Sequence, residues 1–263
     1  MDPGTGGLSS QAPDRARQRL HLPPRPVEIS HMIAIRKSED RGFTDRGWLQ
    51  SRATFSFGSY QDPRFNGFRS LRVLNEDRIA PAKGFGPHSH RDMEILTYMV
   101  DGALAHRDSL SGPHVLGRDE LQAMTAGDGI VHSEVNASDT EASHLLQIWI
   151  EPRAEDLPPS YQQIGFVPED KRGRLHLLAG PDWTDPERTA VINQDARMYV
   201  TELGNGDRVS HTLPEGRHAW IQVVRGPIDL NGLSLQQGDG AAISDERTVV
   251  VSGNGELLLF ELP

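Results

Sequence analysis

The chain has 263 residues, a formal net charge of −10 at pH 7 and no cysteine. The acidic balance argues against direct nucleic-acid binding, which needs a basic surface, and the lack of cysteine excludes disulfides, zinc–thiolate sites and cysteine nucleophiles. No apolar run approaches the roughly 20 residues that cross a bilayer, and the N-terminus lacks the apolar core of a secretory signal. We therefore expect a cytoplasmic protein that binds neither membrane nor nucleic acid.

The first segment of the chain differs from the rest. Residues 1–31 are rich in Gly, Pro, Ser and Arg and hold few aromatic residues. Such a stretch cannot bury enough apolar surface to offset its ordering entropy, so we predict a disordered N-terminal extension over 1–31. Met32 opens the first segment with a regular pattern.

From Met32 onward the pattern is typical of a β-protein. Short runs rich in β-branched and aromatic residues predict strands, and they lie at 53–57, 95–100, 145–150 and 257–260. Asp101-Gly102 and Asn231-Gly232 favour the tight turns that join antiparallel strands. Residues 152–161 predict a linker or a brief helical excursion. No long stretch keeps a helical period, so the sequence predicts an all-β fold of antiparallel sheets.

Two pairs of side chains with i, i+2 spacing stand out, each beside a glycine-marked turn. One pair is His88 and His90, and the other is His132 and Glu134. On a β-strand, residues at i and i+2 point to the same face, with Cα atoms about 6.6 Å apart. Two such strands can bring three imidazoles and one carboxylate to a single ion, with bonds of about 2.0–2.2 Å. An isolated His-x-His is often a surface or hydrogen-bonded pair, but two coincident pairs indicate a metal site.

The donor set also indicates the chemistry of this site. Three neutral imidazoles and one carboxylate, with no thiolate, suit an ion that keeps open coordination positions rather than a closed structural zinc. Such an ion can bind an enolizable hydroxyl of a small-molecule substrate beside O₂ and favour its deprotonation. Glu134 could accept that proton, which would make it the catalytic base as well as a ligand.

A weak internal repeat relates the two halves of the chain. Residues 99–104 resemble 223–228, and 126–129 resemble 237–240. When Gly102 is aligned on Gly226 and Gly127 on Gly238, the four ligand positions fall on Thr212, Pro214, Ile243 and Asp245. We therefore predict that the second half repeats the architecture without a metal site and buries apolar side chains such as Trp220, Val223 and Leu258 against the first. Gly-Asp-Gly turns also recur by coincidence in β-proteins, which leaves the repeat open.

Longer motifs extend through both halves, among them GFGPHSHRDMEILTY at 84–98, GIVHSE at 129–134, QIWI at 147–150 and WIQVV at 220–224. From about Met32 to Pro263 the chain resembles the pirin family of two-domain cupins, particularly the bacterial pirin-like proteins with quercetinase activity. The resemblance implies two antiparallel β-barrel domains of the cupin or jelly-roll type. A metal-binding domain would cover 32–152, and a domain without a metal site would cover 153–263.

The resemblance also implies a function. His88, His90, His132 and Glu134 would hold one divalent transition metal, usually Fe²⁺ in this family, with Cu, Ni, Mn, Co and Zn as alternatives. The implied activity is that of a quercetin 2,3-dioxygenase, in which O₂ opens a ring of the flavonol and carbon monoxide is released. The alternative is a regulatory protein in which the bound metal is a redox switch for protein partners.

Four further side chains lie near the predicted site in sequence. Glu94 has the His-x-His-xxx-Glu spacing at which many cupins place their carboxylate ligand, and it shares strand parity with His88 and His90. The resemblance gives that role to Glu134 and leaves Glu94 to a structural role or to orienting an imidazole N–H. For His106, His114 and His144 we expect surface or hydrogen-bonded positions. Of these three, His106 has the best claim to line the pocket, because it follows the Asp101-Gly102 turn back toward the site.

Overall fold

The computed structural model describes residues 33–182, 185 and 187–263, and the predicted disordered extension over 1–31 lies outside them. The strands are β1 (Ile33–Arg36), β2 (Gly42–Asp45), β3 (Leu49–Ala53), β4 (Leu71–Ile79), β5 (Gly84–His90), β6 (Glu94–Asp101), β7 (Leu104–Asp108), β8 (His114–Leu116), β9 (Glu120–Thr125), β10 (Ile130–Asn136), β11 (Ser143–Ile150), β12 (Ser160–Gly165), β13 (His176–Gly180), β14 (Ala190–Val191), β15 (Arg197–Leu203), β16 (Arg208–Thr212), β17 (His218–Arg225), β18 (Ile228–Leu230), β19 (Leu233–Leu235), β20 (Gly240–Ile243), β21 (Thr248–Gly253) and β22 (Gly255–Leu262). A 3₁₀ helix covers Ser38–Asp40, and the one described α-helix is α1 (Pro168–Lys171). Within the described ranges no helix has the length and apolar character needed to cross a membrane.

The strands form two sandwiches, each made of a seven-stranded and a four-stranded sheet. The first sandwich has the strand orders β12-β9-β6-β11-β4-β3-β2 and β5-β10-β7-β8. The second has β1-β20-β17-β22-β15-β13-β14 and β16-β21-β18-β19. The pairing is antiparallel except between β13 and β14. The predicted all-β fold of two antiparallel cupin barrels is confirmed.

The two sandwiches exchange edge strands. The first strand of the chain, β1, pairs with β20 of the second sandwich. In return, β12, which follows the predicted boundary near residue 152, pairs with β9 of the first sandwich. Each half thus contributes one strand to the other half's sheet, so that pulling the halves apart would break two strand ladders. The domain boundaries 32–152 and 153–263 stay predictions.

A shared apolar core joins the two seven-stranded sheets. It contains Leu96 and Tyr98 from β6, Ile148 from β11, Trp220 from β17 and Phe260 from β22, all at most 1% exposed. Trp220 and Leu258 lie in this core, as predicted. Val223 does not, because it has the opposite strand parity and packs inside the second sandwich with Ile221.

The predicted strands at 95–100, 145–150 and 257–260 lie within β6, β11 and β22. The run 53–57 is only partly a strand, since β3 ends at Ala53. Phe57 instead exchanges two backbone hydrogen bonds with Tyr60 across a turn that contains Gly58, whose φ is +56°. Residues 152–161 contain no helix, and β12 begins at Ser160.

The structure corrects one of the two repeat alignments. Strand β20 follows Gly238 and pairs with β17, which is the place that β9 has beside β6. The strand in the place of β10 is β21, which lies between β16 and β18. Ile243 and Asp245 are therefore not the counterparts of His132 and Glu134. The inward residues of β21 are Val249 and Val251, both buried. The Gly-Asp-Gly turns match in local chemistry and not in their place in the fold.

A row of polar side chains crosses the floor of the first sandwich. The direct cross-strand partners on β9, β6, β11 and β4 are Gln122, Thr97, Gln147 and Asn75. The corresponding row on β20, β17 and β22 of the second sandwich is Ala241, Ile221 and Leu259. Burying amide groups costs free energy unless hydrogen bonds replace the lost water. The first interior therefore carries a polar lining that the fold itself does not require.

Candidate metal centre

The centre is built on β10, which lies between β5 and β7 in the four-stranded sheet of the first sandwich. On one side, His132 is directly opposite His88, and Ile130 is opposite His90. The predicted two strands are thus hydrogen-bonded neighbours in one sheet. The register shifts between His132 and Glu134. There β5 approaches β10 so closely that a Cβ on Gly84 would overlap the backbone of Glu134, which explains the glycine.

The three predicted histidines converge. Their ring centroids lie 4.4 Å apart for His88 and His132, and 4.8 Å apart for the other two pairs. Their ligand atoms all lie within 4.8 Å of one another. The Nε2 atoms of His88 and His132 are 3.0 Å apart. Two nitrogens bound to one ion at right angles, with bonds of about 2.1 Å, would be about 3.0 Å apart. The geometry therefore fits a shared ion.

The protonation of these rings also suits metal binding. The Nδ1 atom of His88 lies 2.8 Å from the carbonyl oxygen of Gly86 and must donate to it, which leaves Nε2 with its lone pair. Burial, with repulsion from His88, lowers the pKa of His90 to about 4. Burial and the neighbouring imidazoles lower the pKa of His132 to about 3. At neutral pH the rings of His90 and His132 are therefore neutral, which is the ligand form of histidine.

Glu134 lies deeper in the barrel than the histidine cluster and is 2% exposed. Its carboxyl oxygens accept hydrogen bonds from Gln147 Nε2 at 3.0 Å and Thr97 Oγ1 at 3.5 Å. Burial, with repulsion from Asp77, raises the pKa of Glu134 to about 7. Its ligand atom lies within 4.8 Å of those of His132 and His106. His132 thus joins the predicted histidine cluster to the predicted carboxylate.

The prediction that Glu94 orients an imidazole of the centre is wrong. Glu94 begins β6 and lies on the same face as Leu96 and Tyr98, toward the core between the sheets, whereas Thr97 on the other face contacts Glu134. Its hydrogen-bond donors are Thr125 at 2.9 Å and Asn193 at 3.2 Å. The parity argument failed because His90 and Glu94 lie on different strands, separated by a turn.

The other histidines divide as follows. His144 lies 3.0 Å from Glu76, and His114 lies 2.9 Å from Ser111, so both are hydrogen-bonded as expected. His106 is 1% exposed and its ring lies 5.2 Å from that of His132, so it lines the pocket. Sequence reasoning overlooked Asp108, which lies 2.8 Å from His106. The signal was present, because His106 and Asp108 repeat the i, i+2 spacing of the other two pairs.

Aromatic side chains surround the opening of the centre. Trp149 lies 5.0 Å from His90, and Phe57 packs edge-on against Trp149 at 5.4 Å. Phe85 lies 6.3 Å from His88. Phe57 and Phe85 also line a cavity of about 100 Å³ that Asp77 contacts and that none of the three histidines lines. The opening therefore offers flat apolar surfaces beside the imidazoles.

The chain is similar to known proteins along both of its halves. The Pirin family model matches residues 35–150, and the model of the quercetinase C-terminal cupin domain matches residues 177–262. The chain is 42% identical to the quercetin 2,3-dioxygenase of Escherichia coli over 88% of its own length and 99% of that protein's. It is 37% identical to a pirin-like protein of Caulobacter vibrioides over 88% and 99% of the two chains. The crystal structure of the Escherichia coli pirin YhhW in complex with nickel(II) has a TM-score of 0.83, with 42% identity and coverage of 88% and 99%.

The first prediction concerns the histidines. Alanine at His90 or at His132 should remove most of the bound metal, because each imidazole contributes one bond to a site with few donors. Metal content after equilibration with Fe²⁺ or Ni²⁺ and desalting measures this, with His114→Ala as the control that should keep its metal. Replacing His88 and His90 together should leave no metal at all, since the second half is predicted to bind none. Near-normal content in both single variants would refute the ligand set.

The second prediction separates the two buried glutamates. Glu134→Gln removes the negative charge beside His132, so metal affinity should fall and any activity that depends on the metal should be lost. Glu94 lies on the face of β6 that points away from Glu134, so the metal affinity of Glu94→Gln should stay within about twofold of the wild type. Competition with a chelator measures both affinities. If Glu94→Gln loses the metal and Glu134→Gln does not, the carboxylate ligand is misassigned.

Proposed function

The chain belongs to the pirin family of two-domain cupins, and on that premise we propose that it is a metal-dependent dioxygenase that cleaves flavonols such as quercetin with O₂. The proposed centre is mononuclear and consists of the three converging histidines and Glu134. The observation that carries the proposal is the convergence of three imidazoles beside a buried carboxyl group, at an opening lined by aromatic rings.

The residues of the centre have separable roles in this proposal. His88, His90, His132 and Glu134 would hold a divalent transition metal, Fe²⁺ in the first instance and Ni²⁺ as the leading alternative. When bound, the ion would supply Lewis acidity that favours ionisation of a substrate hydroxyl. Glu134 would accept the proton of the flavonol 3-hydroxyl group, because its ligand atom lies within 4.8 Å of that of His132. Gln147 and Thr97 hold that carboxyl group from the floor of the barrel.

The aromatic opening supports a planar aromatic substrate. Phe85 and Trp149 lie beside the imidazoles, and Phe57 packs on Trp149, so these rings offer flat surfaces to the rings of a flavonol while its hydroxyl edge would reach the imidazoles. Aromatic contacts of this kind contribute about 0.5–1.5 kcal/mol beyond the burial of area. Binding there would also exclude water from Glu134.

The third prediction tests the activity. Protein loaded with one metal per chain and mixed aerobically with quercetin should abolish the flavonol absorbance and consume one O₂ per quercetin, with release of carbon monoxide. The metal-free protein is the matched control and should leave the absorbance unchanged. If chains that bind Fe²⁺, Ni²⁺, Mn²⁺, Co²⁺ or Cu²⁺ at full occupancy all leave quercetin intact, the dioxygenase proposal fails. The regulatory alternative, in which metal oxidation state controls a protein partner, would then be preferred.

The fourth prediction tests the aromatic opening. Phe57→Ala should raise the KM for quercetin by roughly 2- to 10-fold and change kcat little, because the ring contacts the substrate and not the reacting atoms. Phe43→Ala removes a comparably exposed aromatic ring elsewhere on the first sandwich and serves as the control. A Phe57→Ala enzyme with unchanged KM, or a Phe43→Ala enzyme with the same increase, would contradict the assignment of the opening.

A further inference from the structure

Strand β7 carries a third inward-facing pair, His106 and Asp108, beside the centre. His106 is directly opposite Glu134 on β10, and Asp108 is directly opposite His132. Direct cross-strand partners have Cβ atoms about 4.5–5.5 Å apart. The side chains of His106 and Asp108 are both 0% exposed. Each member of the β10 ligand pair therefore has a polar, buried neighbour on β7, in addition to its neighbours on β5.

Asp108 is held rigidly. Its Oδ1 atom accepts hydrogen bonds from the backbone N–H groups of Leu110 and Ser111, both at 2.7 Å. Its Oδ2 atom lies 2.8 Å from His106 Nε2. Two amide donors on one oxygen stabilise the ionised carboxylate, which can only accept. His106 must therefore donate through Nε2, and its orientation follows from that of Asp108.

The ring of His106 is fixed on its faces as well. It stacks on Tyr161 of β12 with a centroid distance of 4.9 Å and an interplanar angle of 28°, and its centroid lies 5.2 Å from that of His132. With Nε2 directed at Asp108, Nδ1 is the nitrogen that remains for a contact with another group. That Nδ1 atom is buried and has no hydrogen-bond partner among the described residues. An unpaired polar atom in such a place costs about 1–3 kcal/mol, so the orientation indicates a missing contact.

We propose that His106, held by Asp108, is a positioning residue of the metal centre that shares a hydrogen bond through Nδ1 with the carboxyl group of Glu134. The ligand atoms of His106, His132 and Glu134 already lie within 4.8 Å of one another. Gln147 and Thr97 hold Glu134 from the floor only, and a contact from β7 fixes the rotation of the carboxyl group about its last bond. With Nε2–H donated to Asp108, Nδ1 either accepts from the protonated carboxyl group of Glu134 or, when the ring carries both protons, donates to the carboxylate. The inference rests on the proposed metal centre and does not depend on the flavonol.

A pair of amide substitutions distinguishes this role from a structural one. The amide of Asn places a polar atom where histidine has Nδ1, whereas the longer Gln places one where histidine has Nε2. His106→Gln keeps the contact with Asp108 and loses the contact with Glu134, so its affinity for Ni²⁺ should fall about 10- to 100-fold, as for other partners of metal ligands. His106→Asn keeps the Glu134 contact, so its loss should be less than about tenfold.

The matched control is His114→Gln. His114 is directly opposite His106 on β8 and stacks on the same Tyr161 ring at 4.4 Å, but its hydrogen-bond partner is Ser111. Its Ni²⁺ affinity should stay within twofold of the wild type. Affinity is measured by chelator competition without substrate, and the visible spectrum of the Co²⁺-loaded protein reports any change in the ligand sphere. Should His106→Gln fail to fold, Asp108→Asn frees the same ring and should weaken affinity in the same direction.

Each possible result of these measurements either supports or overturns the proposed role of His106. A larger loss in His106→Gln than in His106→Asn, with an altered Co²⁺ spectrum in the former, supports the proposal. Equal affinities for His106→Gln and wild type, or a larger loss in His106→Asn, overturn it. Complete loss of metal in both variants, as for His90→Ala, also overturns it, because His106 would then be a ligand itself. A wild-type chain that binds no Ni²⁺ would refute the metal centre, whereas a chain that binds Ni²⁺ and ignores quercetin would refute only the proposed reaction.

Discussion

The pairing of β10 with β5 on one side and β7 on the other is the constraint on which the site depends. This register sets His132 against His88, and Glu134 against His106. A slip of β10 by one residue would turn both of its polar side chains outward and bring Val131 and Ser133 into the barrel, since the side-chain period of a strand is two. Three neighbouring strands, each with polar residues at i and i+2, thus build one cluster with no loop needed to complete it.

The cost of that cluster is visible in the comparison of the two interiors. The first barrel buries Gln122, Thr97 and Gln147 in one row below Glu134, while the second has Ala241, Ile221 and Leu259 in the same places. Apolar residues would have packed the first interior with less loss of hydration. A fold selected for stability alone would resemble the second barrel. The polar interior is therefore best explained by the ligand set that it surrounds, and the second barrel by its contribution to the shared core.

The sequence predicts a structural feature well when the residue pattern lies within one strand, and poorly when the feature depends on how separate strands pair. Parity within a strand found His88 with His90 and His132 with Glu134, because alternation is fixed by backbone geometry. The same argument failed for Glu94, since the turn after His90, where Asp92 has a φ of +48°, ends one strand and begins another in a different sheet. The alignment of Gly127 on Gly238 failed for a related reason, because similar turns occur at different places in the two barrels. The exchange of β1 and β12 left no local signal at all, since each of these strands pairs with a strand that is distant in sequence, β20 and β9, and such partners are chosen by packing.

The placement of the site also determines how its variants can be interpreted. The largest apolar core lies between the two seven-stranded sheets, and the second lies inside the barrel that has the aliphatic interior. Neither core includes a residue of the proposed centre. Small zinc domains are unfolded without their metal because metal bonds replace a core that they lack. Here the cores and the two exchanged strands hold the fold independently of the metal, so the loss of a ligand should cost metal and activity and leave the barrels intact. If a variant at His88, His90, His132 or Glu134 unfolds the protein, the polar interior of the first barrel depends on its ion for stability.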